Sequence, residues 1–553
     1  MSQSLGPLGP NTASIIMKSL GYLVLVGLAA FFYRLYQIRM LFRRVQNEHS
    51  IPILPHSFLF GHLVTIAKAS IKHRIPRDAN GQWIFYHLKR EYPEILNKGI
   101  VYLDVWPIGY PMIAVYHPNL MAQFIQENSL PKYWAMGQVE FKGFTGGQDL
   151  VTMDGPEWKK ARSLFNPGFS VRNLLSLVPD MIEEVLVFRE RFRKAAASKQ
   201  VVNLEDYTTD ITVDIVGRAV LGARLETQVK PNRLMATMKS QISLMFFELD
   251  LIKLLNPIRS FKNWAYNRII QSELVPYILN TAQNYEKIEG PKTIVALALK
   301  SYVSETQDYS TGGNIPYEFI DRVVKHIKIF MFAGHDTTAT VLAYIYYLLS
   351  KHPDKAAKMR AEHDEVLGVD PTTAANRIRA DPTLLNKMPY TIAVLRETLR
   401  LYPPVGGSIR QSPPGHFLTH PETGVRYPTY GFMMHSSAAT LLRDPDYWPD
   451  ADSFIPERFM THDESDPLYP VKNTWRPFEM GPRACIGQEL VSVEVRLILA
   501  LTVREFEVEE AYPKDAPEWM GDKAYQISNP EVIATAHIKD GLPVRIKSRN
   551  WSL

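Results

Sequence analysis

The residue with the clearest chemical potential is the single cysteine of the chain, Cys485. A lone thiol forms no internal disulfide, and by itself it holds neither a zinc ion nor an iron–sulfur cluster. It can serve as the one protein ligand of a haem iron, where a thiolate favours cleavage of the O–O bond. The alternative is an inert buried cysteine, the usual state of an unpaired thiol inside a cell.

The segment around this cysteine contains the residue types that a thiolate ligand requires. It reads Phe-Glu-Met-Gly-Pro-Arg-Ala-Cys-Ile-Gly over residues 478–487, and the apolar run after it predicts a buried helix. Free N–H groups in the first turn of that helix can face the sulfur and favour its ionised form. Gly481 and Gly487 permit close approach of the backbone to a flat ring. Arg483 can bind a haem propionate, and Phe478 can shield the sulfur from water.

This spacing resembles the cysteine-loop signature of the cytochrome P450 family of haem-thiolate monooxygenases, Phe-x-x-Gly-x-Arg-x-Cys-x-Gly. The resemblance implies a mainly α-helical fold with a smaller β region and one haem domain. It also implies haem b (iron protoporphyrin IX) with the thiolate of Cys485 as its axial ligand. Phe478, Gly481, Arg483 and Gly487 would then contribute to cofactor binding.

A long apolar helix with polar residues at its centre is predicted between Pro316 and Pro353. The centre reads Ala-Gly-His-Asp-Thr-Thr over residues 333–338. Glycine costs about 1 kcal/mol against alanine inside a helix, and a threonine can bond the carbonyl four residues back. The sequence therefore predicts that the helix bends or opens here, although an ordinary kinked core helix explains the same residues.

The order Ala-Gly-x-Asp-Thr-Thr is similar to the oxygen-binding helix of the same family. By that resemblance Thr337 holds a water at the oxygen site, and Asp336 relays protons from solvent. His335 falls at the variable position of the motif, and we interpret it as a wall or packing residue.

Two further pairs are spaced to share one face of a helix. Trp158 and Arg162 lie four residues apart after Asp154, a candidate cap, and Glu397 and Arg400 lie three apart. Each pair has a simpler explanation, a cation–π contact for the first and a surface ion pair for the second.

The family resemblance gives these pairs more specific roles. It implies that Trp158, Arg162 and Arg410 bind haem propionates. The segment 448–459 resembles the family segment ahead of the cysteine loop, and its arginine completes a buried triad of Glu397, Arg400 and Arg458. A carboxylate buried between two guanidiniums is costly unless fully hydrogen-bonded, so we assign the triad to architecture and haem retention.

The N-terminus differs in composition from the rest of the chain. Residues 14–33 are apolar apart from Lys18, and at about 1.5 Å per residue they span about 30 Å, one bilayer core. Four arginines follow between residues 34 and 44, so the positive-inside bias places the later chain in the cytosol. A cleaved signal peptide would carry its basic cluster before the apolar run.

The remaining composition fits one globular unit. Apolar residues make up 46% and charged residues 22%, and the formal charge of +5 is scattered, which excludes a nucleic-acid footprint. We expect a membrane anchor with a basic flank over residues 1–46, a proline-rich hinge over 47–65 and a haem-thiolate catalytic domain over 66–553. We expect a single-pass protein of the endoplasmic reticulum membrane, in contact with lipid, with a cytosolic catalytic domain.

The resemblance implies an enzyme that inserts one oxygen atom of O2 into a hydrophobic small molecule. No flavin or nicotinamide domain is recognisable, so electrons would come from NADPH through a separate cytochrome P450 reductase, with cytochrome b5 as a further donor. Lys472, Arg476 and Arg483 are candidates for a basic docking face, although a solvated charged face explains the first two equally well.

The substrate is less constrained by the sequence. The apolar stretch 244–257 fits contact with lipid, the roof of a pocket or buried core, and residues 164–169 are similar to filamentous-fungal members serving secondary metabolism. One alternative is a haem-thiolate isomerase or dehydratase that rearranges a peroxide without O2. Such relatives usually lack the acid–threonine pair, so Asp336 and Thr337 argue against it. A non-catalytic haem sensor or carrier is the other alternative.

Overall fold

A computed structural model describes residues 10–245, 255–283, 292–306, 316–528 and 535–549. Helices make up 58% of the described residues and strands about 9%, which confirms the expected mainly α-helical fold with a smaller β region. The described helices are α1 Pro10–His49, α2 Leu63–Lys72, α3 Ile84–Glu91, α4 Pro93–Leu96, α5 Pro118–Ala122, α6 Lys142–Thr145, α7 Gly155–Phe165, α8 Val171–Ser198, α9 Leu204–Leu221, α10 Arg233–Ile242, α11 Pro257–Gln283, α12 Ile294–Thr306, α13 Tyr317–Lys351, α14 Pro353–Leu367, α15 Ala374–Ala380, α16 Pro389–Leu401, α17 Ala438–Leu442 and α18 Gln488–Ala500.

The strands form four small sheets within the described residues. They are β1 Ile100–Leu103, β2 Met112–Val115, β3 Val201–Asn203, β4 Ile409–Arg410, β5 Phe417–Thr419, β6 Arg426–Pro428, β7 Met433–Ser436, β8 Phe506–Glu510, β9 Gln526–Ser528, β10 Ala536–Ile538 and β11 Pro543–Ser548. One sheet has the order β1-β2-β7-β4 and another the order β3-β11-β8, while β5 pairs with β6 and β9 with β10. All neighbours are antiparallel except β2 and β7.

Helix α13 runs through the core and packs against α9, α16 and α18. It begins after Pro316 and ends two residues before Pro353, as the two prolines predict. The expected opening at its centre does not occur, because α13 is continuous through residues 333–338. Gly334 has a packing reason instead: a Cβ there would lie 3.0 Å from Cγ2 of Val216 on α9. The glycine therefore lets the two helices approach closely.

The predicted triad joins α16 to the segment ahead of the cysteine loop. Glu397, Arg400 and Arg458 are fully buried, with Arg400 Nε 2.7 Å and Arg458 Nε 3.3 Å from the carboxylate of Glu397. The N–H of Ile455 also donates to that carboxylate at 2.9 Å. Arg400 donates in addition to the carbonyl oxygens of Leu442, Ala451 and Ser453. These bonds offset the cost of burying three charges and tie the long loop before Cys485 to the helical core.

Helix α1 has two halves with different surroundings. Met17–His49 is long and apolar enough to cross a membrane, and its first half is exposed. In the second half Leu35, Ile38, Phe42 and Val45 are buried in the same apolar cluster as β1 and β2. The chain thus stays helical up to His49, and the second half of α1 packs on the folded body as far as Val45.

One of the flanking arginines on α1 is a core residue. Arg39 and Asp104 are both fully buried and paired at 2.5 Å. Arg39 also donates to the carbonyl oxygens of Phe58 and Leu59 at 2.8 and 2.9 Å, and Asp104 accepts from His56 at 2.9 Å. Arg39, one of the four arginines in the predicted basic flank, is therefore buried in the fold.

Replacing Glu397 by alanine should strongly destabilise the protein, because two buried guanidiniums would lose their shared carboxylate. Removing one partner of a buried pair costs about 3–5 kcal/mol. The matched control is Glu365→Ala, a glutamate exposed on α14, which should stay within about 0.5 kcal/mol of the parent. Denaturant midpoints followed by circular dichroism measure both. Equal midpoints for the two variants would contradict the structural role of Glu397.

Arg39→Met should likewise cost about 3–5 kcal/mol, since Asp104 would remain buried with one partner fewer. Arg44 lies on the exposed side of α1, so Arg44→Met should change the free energy of unfolding by less than about 0.5 kcal/mol. The comparison is made in one detergent by thermal unfolding. If Arg39→Met were as stable as Arg44→Met, the second half of α1 would not be part of the catalytic core.

Candidate active site

The cysteine loop places the sulfur of Cys485 at the beginning of α18. The backbone N–H of Cys485 donates to the carbonyl oxygen of Phe478 at 2.9 Å, which closes the loop. The N–H groups of Gly487 and Gln488, at the first turn of α18, donate to the sulfur. The sequence predicted this arrangement, and it directs the positive end of the helix dipole at the thiol.

The thiol is open to a cleft inside the protein. Cys485 is exposed, although the protein around it shields it from bulk water. This burial raises the pKa of the Cys485 thiol, while the N–H groups of Gly487 and Gln488 and the positive charge of Arg162 act in the opposite direction. A metal cation at the sulfur would add a stronger favourable charge for the thiolate.

The two glycines of the loop serve different purposes. Gly481 has a φ of +78°, and a Cβ there would lie 2.8 Å from the Cα of Gln126. Side chains are therefore excluded by both conformation and space. Gly487 has a φ of −83°, which any residue adopts, and a Cβ would lie 3.8 Å from the sulfur of Cys485. Of the two glycines, only Gly481 therefore has a backbone angle that favours glycine.

Helix α7 presents Trp158 and Arg162 to the cysteine loop. Arg162 donates to the carbonyl oxygen of Ala484 at 2.9 Å, and the guanidinium of Arg483 lies 4.5 Å from the ring of Trp158. Asp154, at the N-cap position of α7, makes no side-chain capping bond. Its carboxylate instead pairs with Arg483 and accepts the N–H of Lys132.

Three cations converge near this loop. Arg410 is fully buried, and its Nε and Nη2 have no partner among the described residues. Burial and the neighbouring charge of Arg483 lower the pKa of Arg410 to about 10. Burial, Arg410 and Arg483 lower the pKa of Lys132 well below its usual value. Free donors and excess positive charge beside an accessible thiol fit an anionic, iron-containing ligand, and the two propionates of haem meet that requirement.

Arg476, one of the residues expected on the basic docking face, is paired within the cysteine loop. Arg476 is buried and pairs with Glu479 at 2.9 Å. Glu479 also accepts the hydroxyls of Ser408 and Ser436, each at 2.7 Å, which ties the loop to β7. The expectation that Arg476 forms part of a basic surface is therefore wrong. The side chain of Arg483 is also buried and paired with Asp154, whereas Lys472 is exposed.

The polar centre of α13 faces a cleft on one side. Ala333 is exposed although its neighbours on the helix are buried, and Thr337 is half-buried. The hydroxyl of Thr337 donates to the carbonyl oxygen of Ala333 at 2.8 Å, as predicted. The bond uses the spare lone pair of a helical carbonyl, so it leaves α13 unbroken. His335 is buried against the carbonyl of Met331, which fits a packing residue.

The side chain of Asp336 is held by the C-terminal part of the chain. Its carboxylate accepts the hydroxyl of Thr535, and its other oxygen lies 3.6 Å from Nε2 of His537. Nδ1 of His537 lies 3.0 Å from Glu205 at the start of α9. The hydroxyl of Thr340 donates to Glu205 at 3.2 Å. Asp336 therefore belongs to a buried network of two carboxylates and one imidazole.

Several of these partners carried no sequence signal. Lys132, Glu205 and His537 lie in segments without a recognisable motif, and each meets its partners only through folding. Glu479 lies at a variable position of the cysteine-loop signature. The predicted apolar stretch 244–257 falls largely on residues 246–254, which lie outside the described residues.

Comparison with known proteins gives the same family for the whole chain. The family model for cytochrome P450 matches residues 82–532. The cytochrome P450 monooxygenase polC of Polytolypa hystricis is 34% identical over 543 residues, which cover 96% of this chain and 95% of polC. The cytochrome P450 monooxygenase acrF of Aspergillus aculeatus is 32% identical over 512 residues, 87% of this chain and 99% of acrF.

Solved structures share the fold at lower identity. The haem domain of cytochrome P450DA has a TM-score of 0.67 and 21% identity, and the match covers 90% of this chain and 98% of that domain. A second cytochrome P450, CYP102L1, has a TM-score of 0.66 and 20% identity, with 85% and 95% covered. The loop geometry, the helical fold and the family match lead to one conclusion. The chain belongs to the cytochrome P450 family of haem-thiolate monooxygenases.

Proposed function

We propose that this P450 inserts one oxygen atom of O2 into a hydrophobic small molecule, with two electrons and two protons reducing the other atom to water. The chemistry that haem supplies at such a site is the activation of dioxygen. The single observation that carries the proposal is the accessible thiol of Cys485 at the first turn of α18, near the buried Arg410, whose Nε and Nη2 have no partner among the described residues.

In this proposal the cysteine loop and α7 bind the cofactor. Cys485 would hold the haem iron through its thiolate, which the N–H groups of Gly487 and Gln488 would stabilise. Trp158, Arg162, Arg410, Arg483 and Lys132 would hold the propionates, and Arg410 has two free donor atoms for them. Arg483 would share its charge between Asp154 and a propionate. Phe478, Gly481 and Gly487 shape the loop around the sulfur, with Gly481 the position that tolerates no side chain.

Protons reach the oxygen site from α13. Thr337 lies on the side of α13 that is open to the cleft, and its hydroxyl can turn from the carbonyl of Ala333 to a water. Asp336 precedes it and carries a buried carboxylate that can accept and donate a proton. Glu397, Arg400 and Arg458 support haem retention by holding the segment before the loop.

We also propose the cellular arrangement that the first half of α1 favours. Residues 1–46 would anchor the chain to the endoplasmic reticulum membrane, residues 47–65 would form the hinge, and residues 66–553 would be the cytosolic catalytic domain. The exposed apolar face of α1 supports contact with lipid. Electrons would come from an NADPH–cytochrome P450 reductase, with cytochrome b5 as a further donor. Relatives such as polC and acrF support a role in fungal secondary metabolism.

The test of the cofactor proposal is the difference spectrum of the reduced, carbon-monoxide-bound protein. The parent protein should give the red-shifted Soret band of a thiolate-ligated haem, and Cys485→Ser should lose it. An exposed serine control, Ser465→Ala, should keep the band at full intensity. A parent protein that binds no haem, or a Cys485→Ser variant with an unchanged band, would overturn the proposal.

Thr337→Ala should uncouple the enzyme, so that NADPH is consumed without a matching amount of product. A hydrogen bond is worth about 0.5–1.5 kcal/mol net, so the product formed per NADPH should fall by about two- to tenfold, with a matching rise in hydrogen peroxide. The substrate is a lipophilic compound chosen from a screen for spin-state shifts. Thr338→Ala is the control, because the Thr338 hydroxyl is buried and has no partner in the described residues.

The same assay distinguishes the peroxide isomerase alternative. A monooxygenase requires both NADPH and O2 for product, whereas an isomerase or dehydratase converts a hydroperoxide without either. Unchanged coupling in Thr337→Ala would remove the proton role of Thr337. Turnover of hydroperoxide alone would replace the monooxygenase proposal.

A further inference from the structure

Strand β10 and the residue before it supply two side chains to the carboxylate of Asp336, which lies beside Thr337 in the sequence. Thr535 donates its hydroxyl to one oxygen of Asp336, and Nε2 of His537 lies 3.6 Å from the other oxygen. Thr535 immediately precedes β10, and His537 lies within it. Both oxygens of Asp336 therefore face the same strand, which is about 200 residues away in sequence.

His537 is placed between two carboxylates. Its Nδ1 lies 3.0 Å from Glu205, and its side chain is 10% exposed, against 13% for Glu205 and 8% for Asp336. The ionisable groups that face His537 in the described residues are Glu205 of α9 and Asp336 and His335 of α13. Burial lowers the pKa of His537, but the hydrogen bond to Glu205 and the charges of Asp336 and Glu205 outweigh it. The pKa of His537 is therefore raised above its ordinary value.

The polar contacts of His537 extend to the N-terminus of α9. Glu205 lies in the first turn of α9, where the helix dipole favours a carboxylate, and Thr340 of α13 donates to it. Thr340 also donates to the backbone carbonyl of Asp336 at 3.3 Å. The start of α9, the centre of α13 and β10 are thus connected through one set of polar contacts. Two buried carboxylates without a counter-ion would be costly, so the imidazolium is the group that allows both to be charged.

We propose that Thr535 and His537 are positioning residues for Asp336, so that β10 controls the charge and direction of the carboxylate that supplies protons at Thr337. Glu205 keeps His537 protonated and oriented towards Asp336. Without the imidazolium, Asp336 would lose one of its two partners on the β10 side and could turn away from β10. This inference rests on the proposed function, in which Asp336 serves Thr337, and it adds residues from α9 and β10 to that role.

A structural readout tests the charge of His537 without any turnover. The holoenzyme is labelled with ¹³C at the histidine rings. The NMR signal that is absent from the spectrum of His537→Gln is then assigned to His537. Its titration midpoint should lie above the ordinary value in the parent and fall in Glu205→Gln, because the hydrogen bond to the Glu205 carboxylate is weakened and its charge is lost. A midpoint that is unaffected by Glu205→Gln would overturn the proposed role of Glu205.

The ratio of product formed to NADPH consumed tests whether Thr535 and His537 affect the role of Asp336. His537→Gln and Thr535→Val should reduce product per NADPH by at least threefold, and Thr535→Ser, which keeps the hydroxyl, should recover the parent ratio. The pH at which coupling is half-maximal should shift in His537→Gln. His363→Gln is the matched control, because His363 is also buried and bonded to a threonine, Thr391, but lies in α14. It should leave both the coupling and the pH profile unchanged.

The outcomes separate this inference from the proposed function. If Thr337→Ala uncouples but His537→Gln and Thr535→Val do not, β10 has no part in proton supply and the inference fails alone. If Thr337→Ala also leaves the coupling unchanged, the proposed proton role of Asp336 and Thr337 is itself wrong. Should His537→Gln lose haem, the Thr535→Val and Thr535→Ser pair decides, since it alters one hydroxyl and no charge. Equal coupling in that pair overturns the inference.

Discussion

The contact between the sulfur of Cys485 and the first turn of α18 is the interaction on which the rest of the site depends. A thiol inside a protein tends to stay neutral, and here burial does raise its pKa. The N–H groups of Gly487 and Gln488 and the charge of Arg162 act against this effect of burial on the pKa. The loop that presents the sulfur is closed by its own backbone and passes Gln126 where only glycine fits.

Charge is distributed unevenly around this sulfur. On one side Lys132, Arg410 and Arg483 bring together more positive charge than Asp154 and Glu479 balance, and Arg410 retains free donors. Deeper in the core the carboxylate of Glu397 is shared by Arg400 and Arg458, and Arg400 also donates to three backbone carbonyl oxygens. These contacts hold the scaffold, whereas Arg410 near the cysteine loop keeps two donors without a partner among the described residues. The buried charges around Glu397 are stable because each charged group has several hydrogen-bonding partners.

The centre of α13 shows how one helix serves both packing and chemistry. Gly334 lets α9 approach, Thr337 faces the cleft, and Asp336 points to β10. The helix remains continuous because the threonine hydroxyl adds a bond to a carbonyl and does not replace one. A polar motif in a helix is therefore compatible with an unbroken backbone when neighbouring elements satisfy its side chains.

The sequence by itself determined the family, the helical class, the cysteine loop, the bounds of α13 and the apolar half of α1. These properties rest on local spacing, on residues whose roles depend on near neighbours, and on signatures such as that around Cys485. Only the tertiary structure decided that Arg39 and Arg476 are buried, that Gly487 needs no special angle, and that His537 and Lys132 reach the site. Contacts between distant segments depend on how helices and sheets pack. The sequence alone does not distinguish a charged residue that faces water from one that pairs with a buried partner.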